Sequence, residues 1–261
     1  MTRDAAVLKV TDLALPFRGT HDLDGLVVAF PDRHGGVSDP PFDSLNLGFS
    51  TGDDPDSVRV NRRRLVDAVG VDPDRVIVPG QIHGCQILHA EESLAGAGFD
   101  QPGQIPGGHD VVVLPEPGLL ALSLTADCPL VAVVDPDQRR AGIAHCGWRG
   151  TVAGALDQLL SQMGPPESLL AMISPGIRGP RYPVGSEVLE AVAPLPGAPE
   201  AISGDTLDLA TILLKTLQQA GLGSSRISLD SRCSHGEPDL FSYRRDQGRC
   251  GRGGCLLGWK F

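Results

Sequence analysis

An α/β layered architecture is predicted by this sequence, and three observations carry the prediction. From residue 110 onward short apolar runs recur: DVVVL at 110–114, LLALSL at 119–124, PLVAVVD at 129–135, AGIAH at 141–145 and LLAMIS at 169–174. Such near-continuous hydrophobicity belongs to strands buried on both faces. Stretches at 150–163, 184–193 and 206–220 have the helical period and supply the covering layers. Finally, 41% hydrophobic and 21% charged residues over 261 positions describe a folded protein with a sizeable core. Large α/β folds reach this length as one unit, so residues 1–261 are read as a single domain.

Taken in order, GLVVAFP at 25–31 reads as a strand, and DSVRVNRRRLVDAVG at 56–70 as a helix opened by an Asp/Ser cap and closed by Gly70. Its arginines, Arg62 to Arg64, are read as a solvated helix face. Between the two lies RHGGVSDPPFDSLNLG, too rich in Gly and Pro for regular structure; an irregular loop of this length is usually functional. A short strand is expected at 86–89, another near 226–230 and a closing strand over 255–261, while 101–108 and 194–204 read as surface loops.

A formal net charge of −10 excludes a general nucleic-acid surface, which requires basic stripes. The amino-terminal ten residues contain no apolar signal core, and no run approaches the ~18 apolar residues of a membrane span. A cytoplasmic protein is therefore expected, with its six cysteines reduced because their spacing is irregular.

The residues that carry chemistry cluster at strand ends. TADC at 125–128 and AHCGWRG at 144–150 each place ligand-type side chains just beyond an apolar run, and QIHG at 81–84 adds a second imidazole. Imidazole nitrogen and thiolate sulfur suit zinc, and three protein ligands with an open position mark catalytic rather than structural zinc. Read by themselves, these scattered residues leave open a buried cysteine and ordinary polar histidines. Asp127 is a proton carrier or a loop-capping carboxylate. Arg149, in a Gly-flanked turn before a helix, suits an anion or a salt bridge. Arg33, Gly35 and Gly36 suit either a site-lining anion loop or a plain turn. Cys233 is a second thiol at the site or a small buried side chain, and Tyr243, Arg244 and Arg245 form an anion-contacting cluster or a salt-bridged loop.

Many ordered motifs, RHGGVS and SLNLG at 33–48, VRVNRRRL at 58–65, QIHG, HDVVV at 109–113, TADCPL, HCGWRGT, SPGIRGPRYPVGSEV at 174–188 and FSYRRDQGR at 241–249, make the chain resemble the YfiH-like, or laccase-domain, family. The resemblance spans nearly the whole sequence and departs from the family pattern at Cys146. It implies an α/β/β/α sandwich with mixed sheets, and a metal held by His83, Cys128 and His145. It also implies phosphorolysis of adenosine, inosine and related nucleosides such as methylthioadenosine, with adenosine deamination as a companion activity. On that reading Asp127, Cys128 and Arg149 are catalytic. Arg33, Gly35, Gly36, Gln81, Cys233, Tyr243 and Arg244 contact a purine nucleoside and inorganic phosphate, and the protein is a monomer or small homo-oligomer. Zinc is the expected cofactor, with copper the alternative.

Three rival readings remain. A copper-dependent phenol oxidase needs an imidazole-rich cluster beyond a His₂Cys centre, which seven histidines and no His-x-His pair disfavour. A cysteine hydrolase would use Cys128 or Cys233 beside a histidine. A non-enzymatic zinc module would close the site with a fourth ligand, Cys146 or Cys233. Base stacking has few candidates, among them Phe42, Tyr182, Phe241 and Tyr243.

Overall fold

Alternation along the apolar strands sorts their side chains onto two faces and so builds the layers. The computed structural model describes residues 8–105 and 107–261. The expectation drawn from the first ten residues falls mostly outside that range, as does Pro106 of the 101–108 loop. In chain order the elements are β1 (Val10–Asp12), β2 (Leu26–Pro31), α1 (Pro55–Ala68), β3 (Val76–Ile77), β4 (Ile87–His89), β5 (Val111–Leu114), β6 (Leu120–Thr125), β7 (Leu130–Asp135), β8 (Arg140–His145), α2 (Trp148–Val152), α3 (Ala155–Leu160), β9 (Leu170–Ile173), α4 (Ser186–Val192), α5 (Ala198–Ala201), β10 (Ile202–Ser203), β11 (Thr206–Leu207), α6 (Leu209–Gln219), β12 (Ile227–Leu229) and β13 (Gly253–Trp259).

Two mixed sheets result: a five-stranded one in the order β1-β2-β13-β6-β3 and a six-stranded one in the order β12-β9-β7-β8-β5-β4. Leu26, Val28 and Phe30 of β2, with Leu257 and Trp259 of β13, meet Leu130, Ala132 and Val134 of β7 and Ile143 of β8 in the core between the sheets. The intervening residues face outward: Val27 and Ala29 pack under Leu65 and Val66 of α1. Val131 and Val133 pack under Leu156 and Leu159 of α3 and Leu213 and Leu217 of α6. Four layers, α/β/β/α, therefore follow from period-two strands with both faces apolar.

Three sequence expectations are corrected. The helix expected over 150–163 is two short helices, because Gly154 adopts a left-handed φ of 82° between α2 and α3. Strand β1 was not foreseen, nor were β3 and the β10–β11 hairpin, whose two-residue strands are too short to show a period. Arg62 is not on a solvated face: it is 2% exposed. Its guanidinium donates to the backbone oxygens of Leu47, Gly98 and Phe99. The closing strand runs over Gly253–Trp259, and all six cysteines are free. Among the described residues no helix is long and apolar enough to cross a membrane.

Candidate metal centre and its cavity

Register brings the chemistry to one end of the six-stranded sheet. Val111 of β5 pairs with Ala144 of β8, and Leu130 of β7 pairs with His145, so the start of β5, the start of β7 and the end of β8 lie side by side. Residues 80–84 precede β4, which runs parallel to β5, and arrive at the same end. His83, Cys128 and His145 consequently converge, with their ligand-type atoms all within 4.8 Å of one another. His83 is exposed, Cys128 half-buried and His145 buried. The second residue after this strand end must be small: a Cβ on Gly147 would stand 2.8 Å from Cys128 Sγ and 3.0 Å from His83 Cδ2.

Asp110, which sequence reasoning did not single out, holds the cluster in shape. Its side chain has no exposed surface. Oδ1 accepts from His145 Nδ1 at 2.8 Å and from the His83 amide at 2.9 Å, while Oδ2 accepts from the Ile82 and Gly84 amides at 3.1 and 2.7 Å. Three successive amides thus close around one carboxylate, which explains how His83 is kept at a positive φ of 63°. Burial opposes ionisation of Asp110, but the bonds from His145, Gly84 and Ile82 hold its carboxyl below the usual range. With Nδ1 engaged by Asp110, His145 is left to present Nε2 to the centre of the cluster.

Burial pushes the Cys128 thiol upward, yet the hydrogen bonds to His145 and His83 outweigh it and bring it down to about 6. Burial likewise opposes a charged His145, and Asp110 and Cys128 together lift it to about 9. Two imidazoles and a readily ionised thiol within this span are a donor set suited to a metal ion. Among the described residues no fourth His, Cys, Asp or Glu joins the cluster. Cys146 packs in the core on the far side of the sheet, and Cys233 Sγ accepts from the Arg178 amide.

The cluster opens on a cavity of about 710 Å³, lined by Phe49, Arg62, Val78, Gln81, Leu124, Asp127, Trp148, Arg149, Tyr182, Tyr243, Arg244 and Arg252 among others. A smaller cavity of about 380 Å³ adjoins it through Trp148, Arg149, Tyr182 and Arg244. Arginine and aromatic side chains stack in pairs around the wall: Arg149 over Trp148, Arg244 over Tyr182, Arg252 over Tyr243 and Arg62 over Phe49. Burial and the nearby Cys128 push the Tyr182 phenol up to about 12, so it stays a donor.

The sequence-selected residues divide between this cavity and the framework. Arg149 lines the cavity, and no acceptor among the described residues hydrogen-bonds its guanidinium. Gln81 also lines it, but its amide is clamped on the Leu124 backbone, donating to the oxygen and accepting from the nitrogen, each at 2.8 Å. Asp127, at a positive φ of 98°, accepts from the Ser234 and Ser242 hydroxyls and the Arg244 amide, tying two loops to the cluster. Arg245 braces the same loop, bonding Asp246 and the backbone oxygens of Ser234, Glu237 and Leu240. Arg33 lies outside the cavity: it donates to Asp43 and stacks on Phe241. Gly35 and Gly36 are packing positions, where a Cβ would stand 2.7 Å from Leu8 and 2.0 Å from Ser44 O. Of the candidate stacking rings, Tyr182 and Tyr243 line the cavity, joined by Phe49 and Trp148, whereas Phe241 lies beneath Arg33.

Residues 27–260 match the family described as multi-copper polyphenol oxidoreductase laccase. A protein of Deinococcus radiodurans named purine nucleoside phosphorylase is 38% identical over 88% of this chain and 88% of its own length. Purine nucleoside phosphorylase YlmD of Bacillus subtilis is 30% identical over 90% of this chain and 89% of its own. Among solved structures, the hypothetical protein YfiH of Bacillus licheniformis superposes with a TM-score of 0.86 at 28% identity, covering 92% of this chain and 94% of that one. YlmD from Geobacillus stearothermophilus gives 0.81 at 32% identity, over 92% and 93%.

Proposed function

This chain belongs to the multi-copper polyphenol oxidoreductase laccase family, and from that premise we propose that it is a zinc-dependent purine nucleoside phosphorylase acting on adenosine and inosine. Methylthioadenosine phosphorolysis and adenosine deamination belong to the same proposal, as does a single domain over 1–261, supported by the continuous core between the sheets. The names of the relatives support the phosphorylase reading. The carrying observation is electrostatic: in a chain of net charge −10, the cavity beside the His83, Cys128 and His145 cluster is walled by Arg62, Arg149, Arg244 and Arg252, with Asp127 the carboxylate among its lining residues. Cations gathered against the overall charge suit an anionic co-substrate.

Phosphorolysis forms a bond from a phosphate oxygen to the ribose C1′ while the C1′–N9 bond breaks and the departing base takes a proton. Arg149, which no acceptor among the described residues engages, and Arg244 beside it would hold the phosphate, and stacking between aromatic rings would orient the base. Tyr182 offers a phenolic proton at the cavity wall. His83, Cys128 and His145 would hold the zinc, which when bound polarises a coordinated atom and lowers the pKa of water. Asp110 fixes the orientation of His145, and Asp127 holds the loop bearing Arg244. The three-ligand cluster, with no second one among the described residues, favours zinc over multicopper chemistry. His83→Ala or His145→Ala is expected to abolish metal binding and turnover together; full phosphorolysis by a metal-free variant would contradict the proposal.

One observation favours a second reading. A thiol brought down to about 6 beside two imidazoles is a ready nucleophile, so a cysteine hydrolase at Cys128 is the rival. Covalent trapping of Cys128 by a substrate-like electrophile in metal-stripped protein, with substrate hydrolysis retained, would establish it.

A further inference from the structure

Arg62 is a buried cation to which no carboxylate among the described residues is bonded. Asp100, whose charge acts on it, pairs instead with Arg63. A guanidinium has five N–H groups, and three of these are engaged: Nε on Leu47 O, and Nη1 on Gly98 O and Phe99 O, each at 2.7 Å. Nη2 hydrogen-bonds no acceptor among the described residues, and it is not among the side-chain nitrogens sealed from solvent without a partner. Arg62 as a whole is 2% exposed, and it lines the large cavity. The donor left unengaged among the described residues is therefore Nη2, on a side chain that lines that space.

We propose that Arg62 is a binding residue of the cavity, presenting Nη2 as a hydrogen-bond donor to an acceptor atom on the purine base. The inference rests on the phosphorylase reading and adds the residue that reads the base. Three features assign it to the base rather than to phosphate. The charge of Arg62 is already solvated by three backbone oxygens and by the face of Phe49, 4.4 Å from its Cζ. Phe49, against which it stacks, and Val78 and Leu124 in the same lining are apolar, a surface for a flat ring rather than a dianion. Arg149 and Arg244, at the junction with the smaller cavity, supply the several exposed donors a phosphate requires. Arg62 also fixes the wall it belongs to, because Leu47 leads to Phe49, and Gly98 and Phe99 lead to Pro102 and Gly103 on the cavity surface.

The test uses the zinc-loaded full-length protein without phosphate, so that no turnover occurs, and measures calorimetric binding of inosine and three analogues that each lack one base acceptor. These are 7-deazainosine, 3-deazainosine and purine riboside, which lacks O6 together with the N1 proton. Loss of one bond to a charged donor is expected to weaken one analogue by about tenfold or more. In Arg62→Met that penalty is expected to fall below about threefold, with inorganic phosphate affinity unchanged. Arg62→Lys, which keeps a cation for the three backbone oxygens, replaces the Met variant if that fails to fold. Equal binding of all four nucleosides to the wild type, or an undiminished penalty in the folded variant, overturns the assignment to Arg62. Loss of phosphate affinity in place of base discrimination overturns it as well. Absence of binding by any nucleoside overturns the phosphorylase reading itself, and the inference with it.

Discussion

Asp110→Asn is the sharpest perturbation of the candidate metal centre, because it changes one atom in a group with no exposed surface. Four donors converge on the carboxylate: His145 Nδ1 and the His83 amide on one oxygen, the Ile82 and Gly84 amides on the other. Asparagine keeps one oxygen, and in either orientation its NH₂ faces two N–H groups. Each buried donor left unpaired costs about 1–3 kcal/mol, so the variant should lose about 2–6 kcal/mol. At roughly 2–4 °C per kcal/mol for a chain of this size, the melting temperature should drop by about 10 °C. The turn holding His83 at its positive φ loses its anchor and His145 loses its fixed tautomer, so zinc affinity should fall by about 10- to 100-fold. Calorimetric melting and competition with a chromophoric chelator read the two effects separately. A variant melting within roughly 2 °C of the parent, with unchanged zinc affinity, would refute the claim that Asp110 shapes the cluster.

Three further outcomes follow from the geometry. Stripping the metal with a chelator should lower the melting temperature, since a ligand present at a thousandfold over its Kd stabilises by about 4 kcal/mol; a scan unchanged by chelator would place no metal at His83, Cys128 and His145. Arg149→Ala should raise the KM for phosphate while leaving the melting temperature and the KM for inosine unaltered, because its side chain stacks on Trp148 and hydrogen-bonds no acceptor among the described residues; an unchanged phosphate KM would remove it from the anion site. Gly36→Ala should destabilise the fold, its Cβ standing 2.0 Å from Ser44 O, yet leave the KM values of the folded fraction intact; altered KM values with intact stability would return the RHGGVS loop to the substrate site.

The architecture was legible where strands are apolar on both faces. Val131 and Val133 facing the helices, with Ala132 and Val134 facing the second sheet, make β7 an uninterrupted run that only a doubly covered sheet accommodates. The two-residue strands β3, β10 and β11 carry no period and escaped, as did β1, and a single glycine, Gly154, split a helix whose polarity pattern continues across it. The three ligand-type residues came from family motifs, since their spacing of 45 and 17 residues has no metal-site signature. Asp110 was readable in principle: a carboxylate opening a doubly buried strand needs a buried partner, and His145 ends the neighbouring strand. Arg62 was hidden by its company. Arg63 and Arg64 on the same helix are solvent-facing, and only the backbone oxygens of residues distant in sequence, Leu47, Gly98 and Phe99, distinguish the buried one.

The central claim is phosphate-dependent cleavage of a purine nucleoside at the His83, Cys128 and His145 cluster. Its most direct test is chromatographic product analysis of inosine incubated with protein of known zinc content, with and without inorganic phosphate. The account predicts hypoxanthine and a ribose phosphate in equal amounts only when phosphate is present, from protein carrying one zinc per chain. Zinc-loaded protein that leaves inosine and adenosine intact in phosphate would contradict it.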